Sequence, residues 1–144
     1  MAEPTSLPHG FTPHDRKSPL TDPWEPLYSR RADGAVRLGL RVAAAHTNSR
    51  GFAHGGLISA LADNAMGLTC GQSLGANTTV VTVNLAVDFL GSAQIGQWLE
   101  VSPRLVRAGS TLCFVEAIVA ADGVPCARAN ATFRVVRRAP APVA

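Results

Sequence analysis

NSRGFAHGGLISALADNAMG, residues 48–67, is the stretch whose reading decides the fold. It begins as a polar loop, crosses the adjacent glycines Gly55 and Gly56, and enters an apolar run of Leu57, Ile58, Leu61, Ala62, Ala65 and Met66. Helix-forming residues continue to about Leu74, with Gly71 and Gly75 as stop signals, so the spacing predicts one long helix from Gly55. A helix that is apolar on most of its faces belongs inside a fold. Asp63 lies in the middle of that run. An unpaired carboxylate in such surroundings is costly, so Asp63 needs a partner, a shifted pKa or a cleft to face.

The segments around this helix carry a different period. In TTVVTVNLAVDFL, residues 78–90, Val81, Val83, Leu85, Val87 and Phe89 alternate with Thr82, Asn84, Ala86 and Asp88, which predicts a strand with those two sets on opposite faces. Upstream, Asp33-Gly34 favours the positive φ of a hairpin turn and separates two short strands, near residues 26–32 and 35–43. Downstream, turns at Ala108-Gly109 and Asp122-Gly123 divide three further strands, near residues 97–107, 111–121 and 125–136. In the last of these Ala127, Ala129 and Ala131 share a face, small enough for a helix to lie close. Strands, one long buried helix and then a run of antiparallel strands define an α+β fold in which a curved antiparallel sheet wraps a central helix.

Composition narrows the function. A chain of 144 residues, 47% hydrophobic and 16% charged, fits one globular domain. A net charge of +3 without a block of basic residues gives no footprint for nucleic acid, although a small anionic ligand is compatible with it. The first residues lack the apolar core of a signal peptide, and no run of apolar residues is long enough to span a bilayer, so a cytoplasmic protein without membrane association is expected. Six of the ten prolines fall within residues 4–26, which are expected to form an extended or partly disordered arm ahead of a domain at 27–137 and a tail at 138–144. Cys70, Cys113 and Cys126 are odd in number, apolar in surroundings and far apart, and are read as small core residues rather than as a disulfide framework or a zinc site. Neither a metal nor a cofactor is expected.

The chemistry-bearing residues are Asn48, His54, Gly55 and Asp63. Gly55 and Gly56 let the chain turn into the helix with its backbone close to a bound group, and the first N–H groups of a helix have no partner within it. Such a terminus offers donors and partial positive charge to an oxygen that becomes negative during reaction. Taken singly, each residue also has a plain structural reading. The glycine pair can punctuate a loop, His54 can satisfy an ordinary hydrogen bond, Asn48 can be a turn residue, and Asp63 can pair with an arginine such as Arg41 or Arg128. The chain has no G-x-S-x-G, no H-E-x-x-H and no phosphate-binding G-x-x-x-x-G-K-[ST].

Together, N-S-R-G-F-A-H-G-G-L-I-S-A-L-A-D resembles the signature of hotdog-fold acyl-CoA thioesterases, in particular the phenylacetate-pathway (PaaI-like) branch. The similarity extends through TVVTVNLAVDFLGSAQIGQWLEV and the final hairpins, covering about residues 27–136. The resemblance implies hydrolysis of an acyl-CoA thioester. Gly55 would polarise the thioester carbonyl through its N–H, and Asn48 would help to hold that carbonyl or the attacking water. Asp63 would be the general base or the nucleophile, the base being preferred because hydrolysis needs no covalent step. Thr82 would support Asp63, and His54 would steady the loop and Asn48. Gly56, Arg104 and Arg107, with the Arg134–Arg138 end, are the candidates for contacting substrate, the arginines through CoA phosphates. Another hotdog branch carries its acid at the end of an earlier strand, so its substrate rules do not transfer. Non-catalytic acyl-CoA sensing by a hotdog module is the alternative function.

Helix geometry adds an expectation about assembly. Gly55 and Asp63 are eight residues apart, roughly 12 Å along a helix axis, whereas reacting groups must approach to about 3–3.5 Å. With the resemblance, this implies a homodimer with shared active sites, Gly55 of one chain working with Asp63 of the other, and relatives often form tetramers from two such dimers.

Overall fold

A computed structural model describes residues 6–139 and contains one α-helix and seven strands. In chain order these are β1 (Thr12–Pro13), β2 (Tyr28–Ala32), β3 (Ala35–Arg41), α1 (Gly55–Ser73), β4 (Thr78–Phe89), β5 (Trp98–Ala108), β6 (Leu112–Ala121) and β7 (Val124–Arg137). The strands form a single antiparallel sheet in the order β1-β2-β3-β5-β6-β7-β4. Both Asp-Gly pairs turn as their sequence implies. Asp33 and Gly34 have φ of 54° and 73°, and Asp122 and Gly123 have φ of 47° and 81°, the left-handed conformations that a two-residue hairpin requires.

The sheet wraps α1 because one face of it is apolar and small-sided. Ala127, Ala129, Ala131 and Phe133 of β7 are buried with Val115, Ala117 and Val119 of β6, and they enclose Leu57, Leu61, Ala62, Ala65 and Met66 of the helix. Alanines in β7 let the helix backbone come close, as the sequence suggested. On the opposite side the hydroxyl of Thr69, fully buried, accepts a hydrogen bond from the Val36 N–H at 3.0 Å and fixes α1 against β3.

Three features depart from the sequence reading or extend it. The alternation predicted for β4 is interrupted. Thr82 pairs with Phe133 and Asn84 with Thr132, so Val83 is an extra residue, a bulge that exchanges the two faces of the strand at that point. Thr82 therefore lies on the helix side with Leu85 and Val87, while Val81 and Val83 are 55% and 60% exposed. The cysteine reading needs a second correction. All three cysteines are buried in the core, but Cys70 of α1 and Cys113 of β6 are joined as a disulfide, their Cα atoms 6.4 Å apart; only Cys126 is a free thiol. Packing of the helix across the sheet creates that proximity between residues 43 apart in sequence, and spacing along the chain carries no trace of it.

The third feature is the proline-rich arm, whose described part lies against the domain. Thr12–Pro13 pairs with β2, the His14 N–H donates to the Leu27 carbonyl, and Phe11, His14 and Thr21 are buried. Phe11 meets the Trp98 ring edge-on at 5.1 Å. The first five residues of the arm and residues 140–144 of the expected tail lie outside the described residues.

Candidate active site

Two separate clusters on α1 hold the residues singled out from the sequence. The first is the helix start. His54 caps it: the Gly56 N–H donates to His54 Nδ1 at 2.8 Å and the Ile58 N–H to the His54 carbonyl at 3.1 Å. The Gly55 N–H finds no acceptor among the described residues. Gly55 is confined by the Phe89 ring, since a Cβ built on it would lie 3.0 Å from Phe89 Cζ. Asn48 lies in the loop that leads here. Its Oδ1 accepts the Arg50 and Phe52 N–H groups at 2.9 and 3.2 Å, which leaves the amide NH2 as the group able to donate to a carbonyl or a water. His54 steadies this loop through the His46 carbonyl, which accepts the His54 N–H at 2.9 Å, rather than through Asn48.

About two turns further along α1 is the second cluster. Asp63 is half-buried, and the Thr82 hydroxyl donates to its Oδ1 at 2.8 Å. The bulge at Val83 makes that bond possible by turning Thr82 toward the helix. Neither arginine considered as a partner reaches Asp63. Arg128 pairs with Asp88 at 2.8 Å, and Arg41 lies 5.5 Å over the Trp98 ring. With one oxygen held by a neutral hydroxyl and no ion-pair partner among the described residues, Asp63 keeps an oxygen available to a water. It faces a cleft of about 550 Å³ between α1, the start of β4 and the N-terminal arm.

The remaining candidates lie elsewhere. Arg104 sits on the sheet face away from α1 and is bonded to Glu116, while Arg107 is exposed near the end of β5 beyond a bulge at Val106. Neither lines the cleft of Asp63. Two further histidines, His46 and His14, lie near these clusters. His46 is buried, accepts the Ala43 N–H through Nδ1 at 2.9 Å and faces the Trp24 carbonyl through Nε2 at 2.9 Å, tying the Asn48 loop to the arm. His14 lines the cleft from the arm, and its pKa lies below the ordinary 6.5, chiefly because burial disfavours the imidazolium; the nearby Asp15 carboxylate acts in the opposite direction. His14 stands in a proline-rich segment without periodicity, so no local signal marks it. Among the described residues no three His, Cys, Asp or Glu side chains gather as a metal site, and no helix is long and apolar enough to cross a membrane.

A helix with backbone donors at its start and an acid facing a cleft, wrapped by one antiparallel sheet, is the hotdog arrangement that the motif resembles. The family model for the thioesterase superfamily matches residues 50–126, just over half of the chain. The chain belongs to the thioesterase superfamily and is a thioester hydrolase. It is 40% identical to an inferred esterase of Pseudomonas aeruginosa over 113 residues, covering 78% of this chain and 84% of that protein. With human acyl-coenzyme A thioesterase 13 it shares 31% identity over 85 residues, 58% of this chain and 59% of the relative. Its structure resembles that of a phenylacetic acid degradation-related protein from Ralstonia eutropha JMP134, with a TM-score of 0.73 and 27% identity over 83% of this chain and 92% of the other.

Proposed function

We propose that the chain hydrolyses acyl-CoA thioesters at a site shared between two subunits, with Asp63 as the general base. The observation that carries this is the state of Asp63: half-buried, oriented by the Thr82 hydroxyl, without a cationic partner among the described residues and open to a cleft. Asp63 takes a proton from a water, whose oxygen attacks the thioester carbonyl carbon. The oxyanion that forms is stabilised by the Gly55 N–H, and Asn48 donates to the carbonyl oxygen or to the water. Collapse breaks the carbon–sulfur bond, and the proton returns from Asp63 to the departing sulfur, giving a carboxylic acid and the CoA thiol. The name of the human relative supports acyl-CoA as substrate.

Sharing follows from distance. Eight helical residues separate the Gly55 donor from the Asp63 base, roughly 12 Å, so one chain holds two half-sites rather than one complete site. Strand β4 supports a two-fold pairing. It ends the sheet, no strand among the described residues pairs with its outer edge, and Val81, Val83 and Phe89 on it are exposed.

Mixing Asn48→Ala with Asp63→Ala after dissociation and reassociation tests this. A mixed dimer has one site with both residues intact and one with neither, so thiol release returns although each parent is inactive. If subunits exchange by size analysis and activity stays absent, the shared site is refuted. Tight acyl-CoA binding by the unmodified protein with no thiol release would favour a sensing module instead.

A further inference from the structure

The cleft continues beyond Asp63, and hydrolysis alone does not require what lies there. Its helical wall runs through Asn64, Gly67 and Leu68 to Gly71 and Gln72, about 13 Å at 1.5 Å per residue. A Cβ built on Gly71 would meet nothing within 4 Å, and the residue has no positive φ. Glycine weakens a helix relative to alanine, yet neither backbone conformation nor a packed neighbour calls for it here. It leaves open space over the cleft. Gly67 differs, because a Cβ there would touch Phe133 at 3.4 Å.

The opposite wall carries an imidazole and several cations. His14, 4% exposed, lines the cleft, and its Nδ1 is buried without a hydrogen-bond partner. Among the described residues Arg31 is held by long contacts, 3.5 Å to Gln72 Oε1 and 3.9 Å to the Asp15 carboxylate, so its guanidinium retains capacity for a closer partner. Arg16 and Arg138 also face the cleft, as does Lys17, whose ammonium is paired with Glu25 at 2.8 Å, and Asp63 is the one carboxylate among its lining residues. Between these charges the partly buried Leu68 and Val80 expose apolar surface, backed by the buried Leu27, Leu38 and Phe133. An apolar passage that leads from a catalytic acid to a cationic end fits a chain that is apolar along its length and anionic at its tip.

We propose that this cleft selects acyl groups ending in a carboxylate, the monothioesters of dicarboxylic acids, and that Arg31 and His14 receive the terminal carboxylate. The proposal rests on the acyl-CoA reading of Asp63. Arg31 brings a planar pair of donors that matches a carboxylate, and the His14 ring adds a donor from a desolvated position, where such a bond is strongest. Cations of this kind also suit the phosphates of CoA, so the experiment separates the two sources.

Thiol release from adipoyl-CoA and hexanoyl-CoA, equal in carbon number, is measured for the unmodified protein, Arg31→Gln and His14→Phe. Affinities for both thioesters and for free CoA are measured by calorimetry in Asp63→Asn, with and without Arg31→Gln. Arg31 is an exposed side chain, so Arg31→Gln leaves the core intact even if His14→Phe does not fold. The expected result is a preference for adipoyl-CoA that falls about tenfold in kcat/KM in Arg31→Gln, while hexanoyl-CoA changes less than about twofold. Free CoA affinity should not move. Release from both thioesters without preference, or an equal loss for both in Arg31→Gln, overturns the carboxylate-selective cleft and leaves hydrolysis standing. Equal weakening of free CoA and adipoyl-CoA assigns the cations to the carrier phosphates and also overturns it. If no thioester is cleaved but adipoyl-CoA still binds more tightly through Arg31, the cleft proposal stands and the hydrolytic one falls.

Discussion

At its first turn α1 offers backbone, and about two turns later it offers a side chain. The N-terminal region consists of a histidine cap, two glycines and a free N–H, with Phe89 closing over Gly55. The Asp63 region consists of one carboxylate, one hydroxyl and a cleft. A backbone donor survives any substitution that leaves the chain path unchanged, whereas a carboxylate loses its chemistry with one atom. The two regions should therefore respond to mutation in opposite ways, and the size of that contrast measures how well the roles are assigned.

The largest effect is expected at Asp63. In Asp63→Asn the side chain keeps its shape and can still accept from Thr82, but it cannot take a proton from water, so kcat falls by about a hundredfold or more. Circular dichroism and melting should be unchanged, because no ion pair is lost. Near-normal kcat would remove Asp63 from the chemistry and, with it, the contrast between the regions. Thr82→Val comes next. The isosteric change deletes the donor to Asp63 Oδ1 and frees the carboxylate to rotate, for a loss of about tenfold in kcat with little change in KM. A loss equal to that of Asp63→Asn would mean that Thr82 itself touches the reacting atoms.

At the helix start the expected effect is smaller. Gly55→Ala retains the N–H and adds a methyl whose nearest neighbours are atoms of the Phe89 ring, and Phe89, 53% exposed, has room to move. A loss of about threefold in kcat/KM, from slight displacement of the donor, is expected. Loss as large as that of Asp63→Asn would show that the space above Gly55, and not only its N–H, is used by the substrate.

The difference between the regions also explains what could be read in advance. The buried helix, the two Asp-Gly hairpins and the alanine face of β7 were legible because each depends on local preference and period: 3.6 along α1, 2 along the strands, positive φ at the turns. Asp63 stood out because an acid contradicts its apolar context. The contact of Thr82 with Asp63 followed from the resemblance and not from the strand period, since one extra residue at Val83 leaves the alternation apparently regular while inverting the face of Thr82. The Cys70–Cys113 pair was not legible, nor was the placement of His14 against the cleft. Both arise where segments distant in sequence meet, and no period within either segment encodes the meeting.

The smallest effect expected concerns that arm and sharpens the comparison from outside the helix. Burial lowers the pKa of His14 below 6.5, with Asp15 opposing and Arg31 assisting, while Glu25 raises it slightly and Lys17 lowers it. In the unfolded chain His14 takes up a proton near pH 6.5, and in the folded chain it does so only at lower pH. Between those two values the unfolded state binds more protons, so the stabilisation present above pH 6.5 is lost as pH falls through the folded pKa. Glu25 acts in a separate, more acidic window. Burial alone would raise its pKa, but the Lys17 ammonium and the Leu27 N–H outweigh burial and hold it below 4.5, so its contribution is lost only as pH falls beneath that value. Urea midpoints measured from pH 7.5 down to pH 5 should therefore decline more steeply for the unmodified protein than for His14→Gln, which has no proton to gain. The slope is the readout, because His14→Gln can lower stability at every pH without altering it. Parallel declines would show that His14 titrates alike in the folded and unfolded chains, and that the arm does not hold it out of water.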